Sequence, residues 1–390
     1  MFENQSIITT LFLVFTCAAL MATLMLYARQ ALIIGYIVAG ITLGPWGWNW
    51  VSDTRLIAGI ADVGIIFLLF LLGMNLTPQK LLQLLRQTTL VTLMTSVIFC
   101  VTAWSIARLF GFSTLEALLI GVAAMFSSTI IGIKLLPTTI LHHRHTGEVI
   151  ISVLLFQDLI AILVMLGLQG LESADLQPVN LLLPLLALPF LIAIAFVLDR
   201  LVLLKLFSRM DKVQEYIFLL TLAWCLGIAH LGHTIGLSYE IGAFLAGVVF
   251  ASHPIALVLA ERLKPLRDFF LVLFFFALGA SLDLEVIGRV AIPAMVLALV
   301  FLAMKPVVFR YALGQVAESP RLAWETGWRL GQMSEFSLLI AFLAVDIPGI
   351  GADTISLIQV STVLTFIGSS SVIVLIFPTP VAVSDRLRRD

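Results

Sequence analysis

The chain is built from long apolar runs, each bounded by a short stretch of charges, glycines or prolines. A segment crossing the hydrocarbon core needs about 20 mostly apolar residues, within a range of roughly 17–25. Thirteen stretches meet that requirement: 5–27, 31–47, 56–75, 88–110, 115–136, 148–170, 178–198, 214–231, 236–253, 265–281, 285–310, 323–345 and 352–378. The second and ninth are short and rich in glycine. Of 390 residues, 61% are hydrophobic and 12% charged, against roughly 45–50% and about 25% in soluble domains. That balance excludes a soluble enzyme, a nucleic-acid binder and a disordered chain. The net charge of −1 leaves no polybasic surface. The predicted fold class is all-α integral membrane, with the lipid bilayer as solvent. Cys17, Cys100 and Cys225 fall inside apolar runs and read as small buried hydrophobes rather than a disulfide framework. The start, Met1 to Gln5, lacks the basic residues of a signal peptide, so the first run is kept as a helix.

Charge sets the orientation. With the N-terminus outside, seventeen of the 22 basic residues fall in predicted cytoplasmic segments. They are Arg29, Lys80, Arg86, Lys134, Arg144, Arg200, Lys205, Arg209, Lys212, Arg262, Lys264, Arg267, Arg310, Arg321, Arg386, Arg388 and Arg389. Arg55, Arg108 and Arg289 fall outside, and outer loops carry acids such as Glu172, Asp175, Asp346 and Asp353. This positive-inside bias needs an odd number of spans, which places the C-terminus in the cytoplasm.

The spans repeat. Gly35 to Gly40 resembles Gly242 to Gly247 at an offset of 207, and Phe70 to Leu76 resembles Phe276 to Leu282 at 206. Seven spans lie between the matched pairs, so the repeat is inverted. Inverted repeats recur in secondary transporters, whose sites lie at the repeat interface near the midplane. Residues 1–390 therefore read as one transmembrane domain. Spans 1–6 (1–170) are one six-helix repeat, span 7 (178–198) a connecting helix, and spans 8–13 (214–378) the second repeat. The small residues Gly35, Ala39, Gly40, Gly44, Gly242, Ala246 and Gly247 suit close helix packing.

Few ionisable groups remain inside spans: Asp62, Asp158, Lys305, Arg329 and Glu335. An intramembrane charge costs several kcal/mol and is a functional hypothesis by default. Asp158 stands near the middle of span 6, where no side chain reaches water. A carboxylate there offsets its cost by taking up a proton or by holding a cation, and competition between the two is the minimum an antiporter needs. Gln157 beside it offers an amide carbonyl as a monovalent-cation ligand without a second charge. Ser127, Ser128 and Thr129 interrupt span 5, and by the repeat offset they align with Gln332, Met333, Ser334 and Glu335 in span 12. Paired polar interruptions are the best sequence pointer to a transporter site. Unwound backbone there would offer carbonyls to a cation and half-helix termini to the carboxylates. Discontinuous, crossing helices are accordingly expected in the core. Lys305, next to Pro306, either pairs with Asp158 when no cation is bound or snorkels toward the cytoplasmic edge. Arg329 reads as an interfacial snorkeller, and Asp62 as lining an outer vestibule or capping a helix. His142, His143 and His145 read as a solvated cytoplasmic loop that gains charge below neutral pH, rather than as a metal site. The Asn75-Leu76-Thr77 sequon falls on the cytoplasmic side.

These residues carry a resemblance. Gly35 to Gly44, Ser127-Ser128-Thr129, Leu155-Phe156-Gln157-Asp158, Gly242 to Val248, Lys305 and Gly331-Gln332-Met333-Ser334-Glu335-Phe336 resemble the membrane domain of the monovalent cation–proton antiporter-2 family, within it the Kef-type potassium antiporters. The resemblance implies a homodimer in a bacterial inner membrane. Spans 1–3 and 8–10 would form a dimerisation domain, and spans 4–6 and 11–13 a core moving like an elevator. It further implies that Gln-Asp goes with potassium, whereas Asp-Asp or Asn-Asp goes with sodium. Asp158 becomes the ion- and proton-binding carboxylate, with Lys305 as its salt-bridge partner. The chain departs from that pattern: it reaches Asp390 without a glycine-rich nucleotide-binding turn, and its 138–147 loop and Asn75 differ from Kef-type members. No cofactor is expected, nor regulatory nucleotide or glutathione binding to this chain; a separate soluble regulatory domain or subunit is a candidate partner. The expected function is efflux of potassium in exchange for protons. A sodium/proton antiporter of the same fold and a channel-like potassium pathway are its rivals, ahead of a non-transporting sensor and a membrane enzyme.

Overall fold

The structure is a computed structural model. It describes residues 7–28, 30–51, 54–74, 78–135, 145–172, 178–210, 213–253, 255–316 and 318–379. The Asn75-Leu76-Thr77 sequon, His142, His143, Arg144, Asp175 and the basic run at 386–389 lie outside the described residues. The helices are α1 (Ile7–Tyr27), α2 (Leu32–Leu43), α3 (Thr54–Met74), α4 (Pro78–Leu109), α5 (Thr114–Ala124), α6 (Thr129–Lys134), α7 (His145–Glu172) and α8 (Pro178–Leu198). They continue with α9 (Leu204–Met210), α10 (Gln214–Thr234), α11 (Tyr239–Phe250), α12 (Ala256–Ser281), α13 (Leu284–Gln315), α14 (Pro320–Arg329), α15 (Glu335–Leu343) and α16 (Ala352–Ile376).

Among the described residues seven helices are long and apolar enough to cross a membrane, and Leu32–Leu43, Asp62–Met74, Thr114–Ala124 and Tyr239–Phe250 form shorter apolar helices. Several boundaries differ from expectation. The fourth helix begins at Pro78 and the twelfth at Ala256, so the basic residues around them sit on helical turns rather than in loops. Hydropathy ends a span where charge begins, but the backbone ladder runs on; Lys264 bonds Glu261 along the helix. Span 7 likewise continues past Leu198 through a π-turn, Asp199–Leu203, into α9. The extra residue of a π-turn re-aims the side chains around it, and here Asp199 is buried with its Oδ1 2.6 Å from His253 Nε2. Asp62 lies mid-helix in α3, half-buried, and is not a cap. His145 opens α7 instead of lying in a loop, with Nδ1 3.2 Å from Glu148 and Nε2 2.8 Å from Glu318.

The chain divides into two compact units, one of residues 1–52, 84–161 and 278–390, the other of 53–83 and 162–277. Glycines set the packing in each. In the first unit a Cβ on Gly35 would lie 2.9 Å from Ala22 N, and one on Gly279 2.1 Å from Ile37 O. In the second, a Cβ on Gly242 would lie 2.7 Å from Ala229 Cα, and one on Gly73 2.3 Å from Phe244 O. Backbones approach so closely that no side chain fits between them, the arrangement small residues permit in membrane helices. Phe67 stacks on Phe270, and Phe70 and Phe207 lie against Phe250, filling the second unit around its glycine seam.

Gly247 has a Cβ position 2.1 Å from Phe70 O, whereas Gly227 has open space. Gly247→Ala should therefore destabilise by about 1–3 kcal/mol through overpacking, read as a lower thermal midpoint of the purified protein in detergent. Gly227→Ala should leave the midpoint unchanged or raise it by up to about 1 kcal/mol equivalent.

Candidate ion site

Two helices of the first unit are interrupted, and the interruptions meet. The first break lies between Ala124 and Thr129, the second between Arg329 and Glu335. Each resumes from a serine cap: Ser128 Oγ accepts from Ile131 N at 3.1 Å, and Ser334 Oγ from Phe336 N at 3.1 Å. Serine at this position satisfies an N–H that the helix start leaves unpaired. The Ser334 N–H in turn donates to Ser337 Oγ, and Ser337 Oγ donates to Ala123 O at 2.6 Å, tying α15 to α5.

Buried, unwound backbone must find partners within the protein. Lys305, on α13 and fully buried, supplies a donor to each break. Its Nζ donates to Phe126 O at 2.6 Å, Gln332 O at 2.8 Å and Ser127 Oγ at 3.3 Å. The Phe99 and Phe301 rings flank it, 5.1 and 5.6 Å from the ammonium. Ser127 Oγ passes its own proton to Leu330 O, 2.9 Å away. Gln157 Oε1 accepts from Ser127 N at 3.0 Å. Gln332 donates Nε2 to Arg329 O at 3.1 Å and Ser128 O at 3.4 Å, and accepts from Ser369. Met333 N donates to Thr365 Oγ1.

Lys305 therefore does not snorkel, and among the described residues no ion pair joins it to Asp158. Of the break carbonyls that sequence offered to a cation, Phe126 O and Gln332 O are held by this ammonium instead. Gln157's carbonyl, expected as a cation ligand, holds the first break; its Nε2 is buried without a partner among the described residues.

Asp158 lies on α7, buried, with Oδ1 and Oδ2 at 3.1 and 3.2 Å from Thr129 Oγ1. Thr129 is the first residue of α6, so the second half of the interrupted helix starts on the carboxylate. Glu335, the first residue of α15, is also buried. Ser334 Oγ reaches Glu335 Oε2 at 3.5 Å. The structure thus brings Ser127, Ser128, Thr129, Gln157, Asp158, Lys305, Gln332, Ser334 and Glu335 into one connected region. Carboxylate and hydroxyl oxygens form the donor set of a hard cation.

A profile described as the transmembrane sodium/hydrogen exchanger matches residues 11–377. The chain belongs to that family. It is an integral membrane cation/proton antiporter rather than an enzyme. The exchanger is 29% identical over 351 residues to "Iron transporter MagA" of Paramagnetospirillum magneticum, covering 90% of this chain and 81% of that protein. Its fold resembles the sodium proton antiporter MjNhaP1 of Methanocaldococcus jannaschii at pH 8, with a TM-score of 0.73 and 16% identity, covering 94% of this chain and 95% of that one. An electron-microscopy structure of the same antiporter aligns with a TM-score of 0.66 at 14% identity, covering 94% of each chain.

Two features of the exchanger's site escaped the sequence reading. Arg329 is fully buried rather than interfacial, because three acceptors meet its guanidinium. Thr365 and Ser369 of α16 hold the second break; the signal was the run of hydroxyls at helical spacing, Ser361, Thr362, Thr365, Ser369 and Ser370, all buried.

Lys305→Met keeps the length of the side chain but leaves Phe126 O and Gln332 O without their donor. Each unpaired carbonyl costs about 1–3 kcal/mol. The variant should show a clearly lower thermal midpoint than wild type in detergent, with Lys305→Arg in between.

Proposed function

We propose that this antiporter exchanges potassium for protons at Asp158 by alternating access. The observation that carries the reading is the placement of charge: Asp158 is buried and met by the Thr129 hydroxyl, while the buried Lys305 ammonium is spent on backbone carbonyls. A buried carboxylate so placed is relieved by a proton or by a cation, one excluding the other. Proton loss to one side frees Asp158 to take a cation, and reprotonation on the other side expels it. If Asp158 alone exchanges, one monovalent cation moves for one proton and the cycle carries no net charge. Thr129 is the adjoining ligand, with Gln157, Ser127 and Ser128 holding the first break and Lys305, Gln332, Ser334 and Glu335 shaping the second.

The Gln157-Asp158 pair and its resemblance to Kef-type members favour potassium. Sodium is the second reading, favoured by the family description and by the antiporter MjNhaP1. Iron, suggested by the name of MagA, suits this site less well: iron sites draw on imidazole and carboxylate clusters, and among the described residues no three His, Cys, Asp or Glu side chains come together, Asp158 being met by the Thr129 hydroxyl.

The same reading includes thirteen spans in two inverted repeats, N-terminus outside, as a homodimer in the inner membrane with an elevator-like core. Contact geometry supports the repeat. Gly35 on Ala22 corresponds to Gly242 on Ala229 at an offset of 207, and Gly73 on Phe244 to Gly279 on Ile37 at 206 and 207. The serine caps Ser128 and Ser334 are also 206 apart.

Proteoliposomes loaded with a pH dye and challenged with potassium, sodium, lithium, rubidium or ferrous iron test the proposal. Potassium should drive the largest proton movement, and Asp158→Asn should abolish it. Exchange surviving that substitution overturns the mechanism. Larger movement with sodium transfers the assignment to sodium, and cation flux without proton movement favours a channel. A membrane current tracking exchange overturns the electroneutral cycle.

A further inference from the structure

We propose that Arg329 is a positioning residue for ion binding: it pins the far end of α6 so that Thr129, at the near end, stays on Asp158. The inference rests on Asp158 being the exchange site. Arg329 ends α14 and is completely buried. Its Nη1 donates to Leu135 O at 3.0 Å, its Nη2 to Pro378 O at 3.0 Å, and its Nε to Glu325 Oε1 at 3.1 Å. The guanidinium carbon lies 5.5 Å from the Phe377 ring. One side chain thus joins the end of α6, the end of α16 and α14. A planar fork of five donors is suited to acceptors in several directions, which a lysine cannot match.

The consequence follows from the size of α6, which is six residues. So short a helix has little stability of its own and takes its direction from what holds its ends. At the start, Ser128 caps it, with Ser128 O accepting from Gly132 N at 3.1 Å. At the finish, carbonyls lose their intrahelical donors, and a cation there is favourable. Arg329 provides that cation to Leu135, whose own N–H is bonded to Ile131 O at 3.1 Å. Between the ends, α6 rides on α7: a Cβ on Gly132 would lie 3.3 Å from Leu154 Cδ1, one turn before Asp158. Freeing Leu135 lets α6 pivot across that contact, and the pivot moves Thr129 off the carboxylate. Arg329 also touches the second break, since its carbonyl accepts from Gln332 Nε2. Its guanidinium bonds neither Asp158 nor Thr129, and the proposed effect on ion binding runs through α6, whose end it holds.

The test is a double-mutant cycle on the full chain in proteoliposomes, with Arg329→Lys, Thr129→Val and the pair. Each single substitution should raise the half-saturating potassium concentration about fivefold, and Arg329→Lys should keep its maximal rate per folded protein within about twofold; the double should be no worse than the worse single, because coupled residues are not additive. Multiplying shifts, or an unchanged half-saturation in Arg329→Lys, overturn the proposal. Where Arg329→Lys yields no folded protein, Glu325→Gln takes its place in the cycle under the same criteria. Amide hydrogen exchange gives a readout independent of transport: Arg329→Lys should accelerate exchange at residues 131–135 and leave α5 unchanged, and equal rates in α6 overturn the proposal. Loss of the Asp158 reading would show as exchange persisting in Asp158→Asn, a result the hydrogen-exchange measurement does not depend on.

Discussion

The Lys305 ammonium stands between two chain breaks and donates to a carbonyl of each, Phe126 O at 2.6 Å and Gln332 O at 2.8 Å. An interrupted helix exposes N–H and C=O groups that the hydrocarbon cannot satisfy. Two such interruptions side by side double the need. A single ammonium with three donors and no acceptor role answers it where they meet. Phe99 and Phe301 close around the charge and keep it from water. The remaining groups are met by neutral side chains: Ser127 on Leu330 O, Gln157 on Ser127 N, Gln332 on Arg329 O, and Thr365 on Met333 N. The breaks are therefore held without a hydrogen bond from Lys305 to Asp158.

Both half-helices restart at a polar residue of this region, Thr129 on the Asp158 carboxylate and Glu335 buried behind its serine cap. This follows from capping chemistry, because a serine cap fixes where the next helix begins and so which residue occupies its first turn. Ser128 and Ser334 act structurally, and their placement determines which side chain opens each half-helix.

Much of this was legible in the sequence, and the reasons for the rest are specific. Asp158 was found because a charge in a 20-residue apolar run has no structural excuse. The breaks were found because paired polar interruptions recur at one offset. The glycine motifs gave close packing, and backbone separations in both units agree with them. What periodicity could not give was the destination of each polar atom. Sequence leaves Lys305 between Asp158 and the membrane edge and sends Arg329 to that edge, because reach is set by chain length whereas burial is set by acceptors on other helices. Hydropathy also stopped the twelfth helix short at Pro265 and missed the π-turn that buries Asp199 on His253, since a hydrogen-bonded ladder continues where apolarity does not.

Charge in the first unit is committed unevenly. Among its described residues Asp158, Glu335, Lys305 and Arg329 are the buried side chains that carry charge. Arg329 pairs with Glu325, 3.0 Å away, and donates to Leu135 O and Pro378 O. Lys305 gives its donors to Phe126 O, Gln332 O and Ser127 Oγ. Both cations are thus engaged in holding chain ends and breaks, and the Asp158 carboxylate is met by the neutral Thr129 hydroxyl. A buried carboxylate held by a hydroxyl can be relieved by a proton or by a cation, which is the property the proposed exchange rests on.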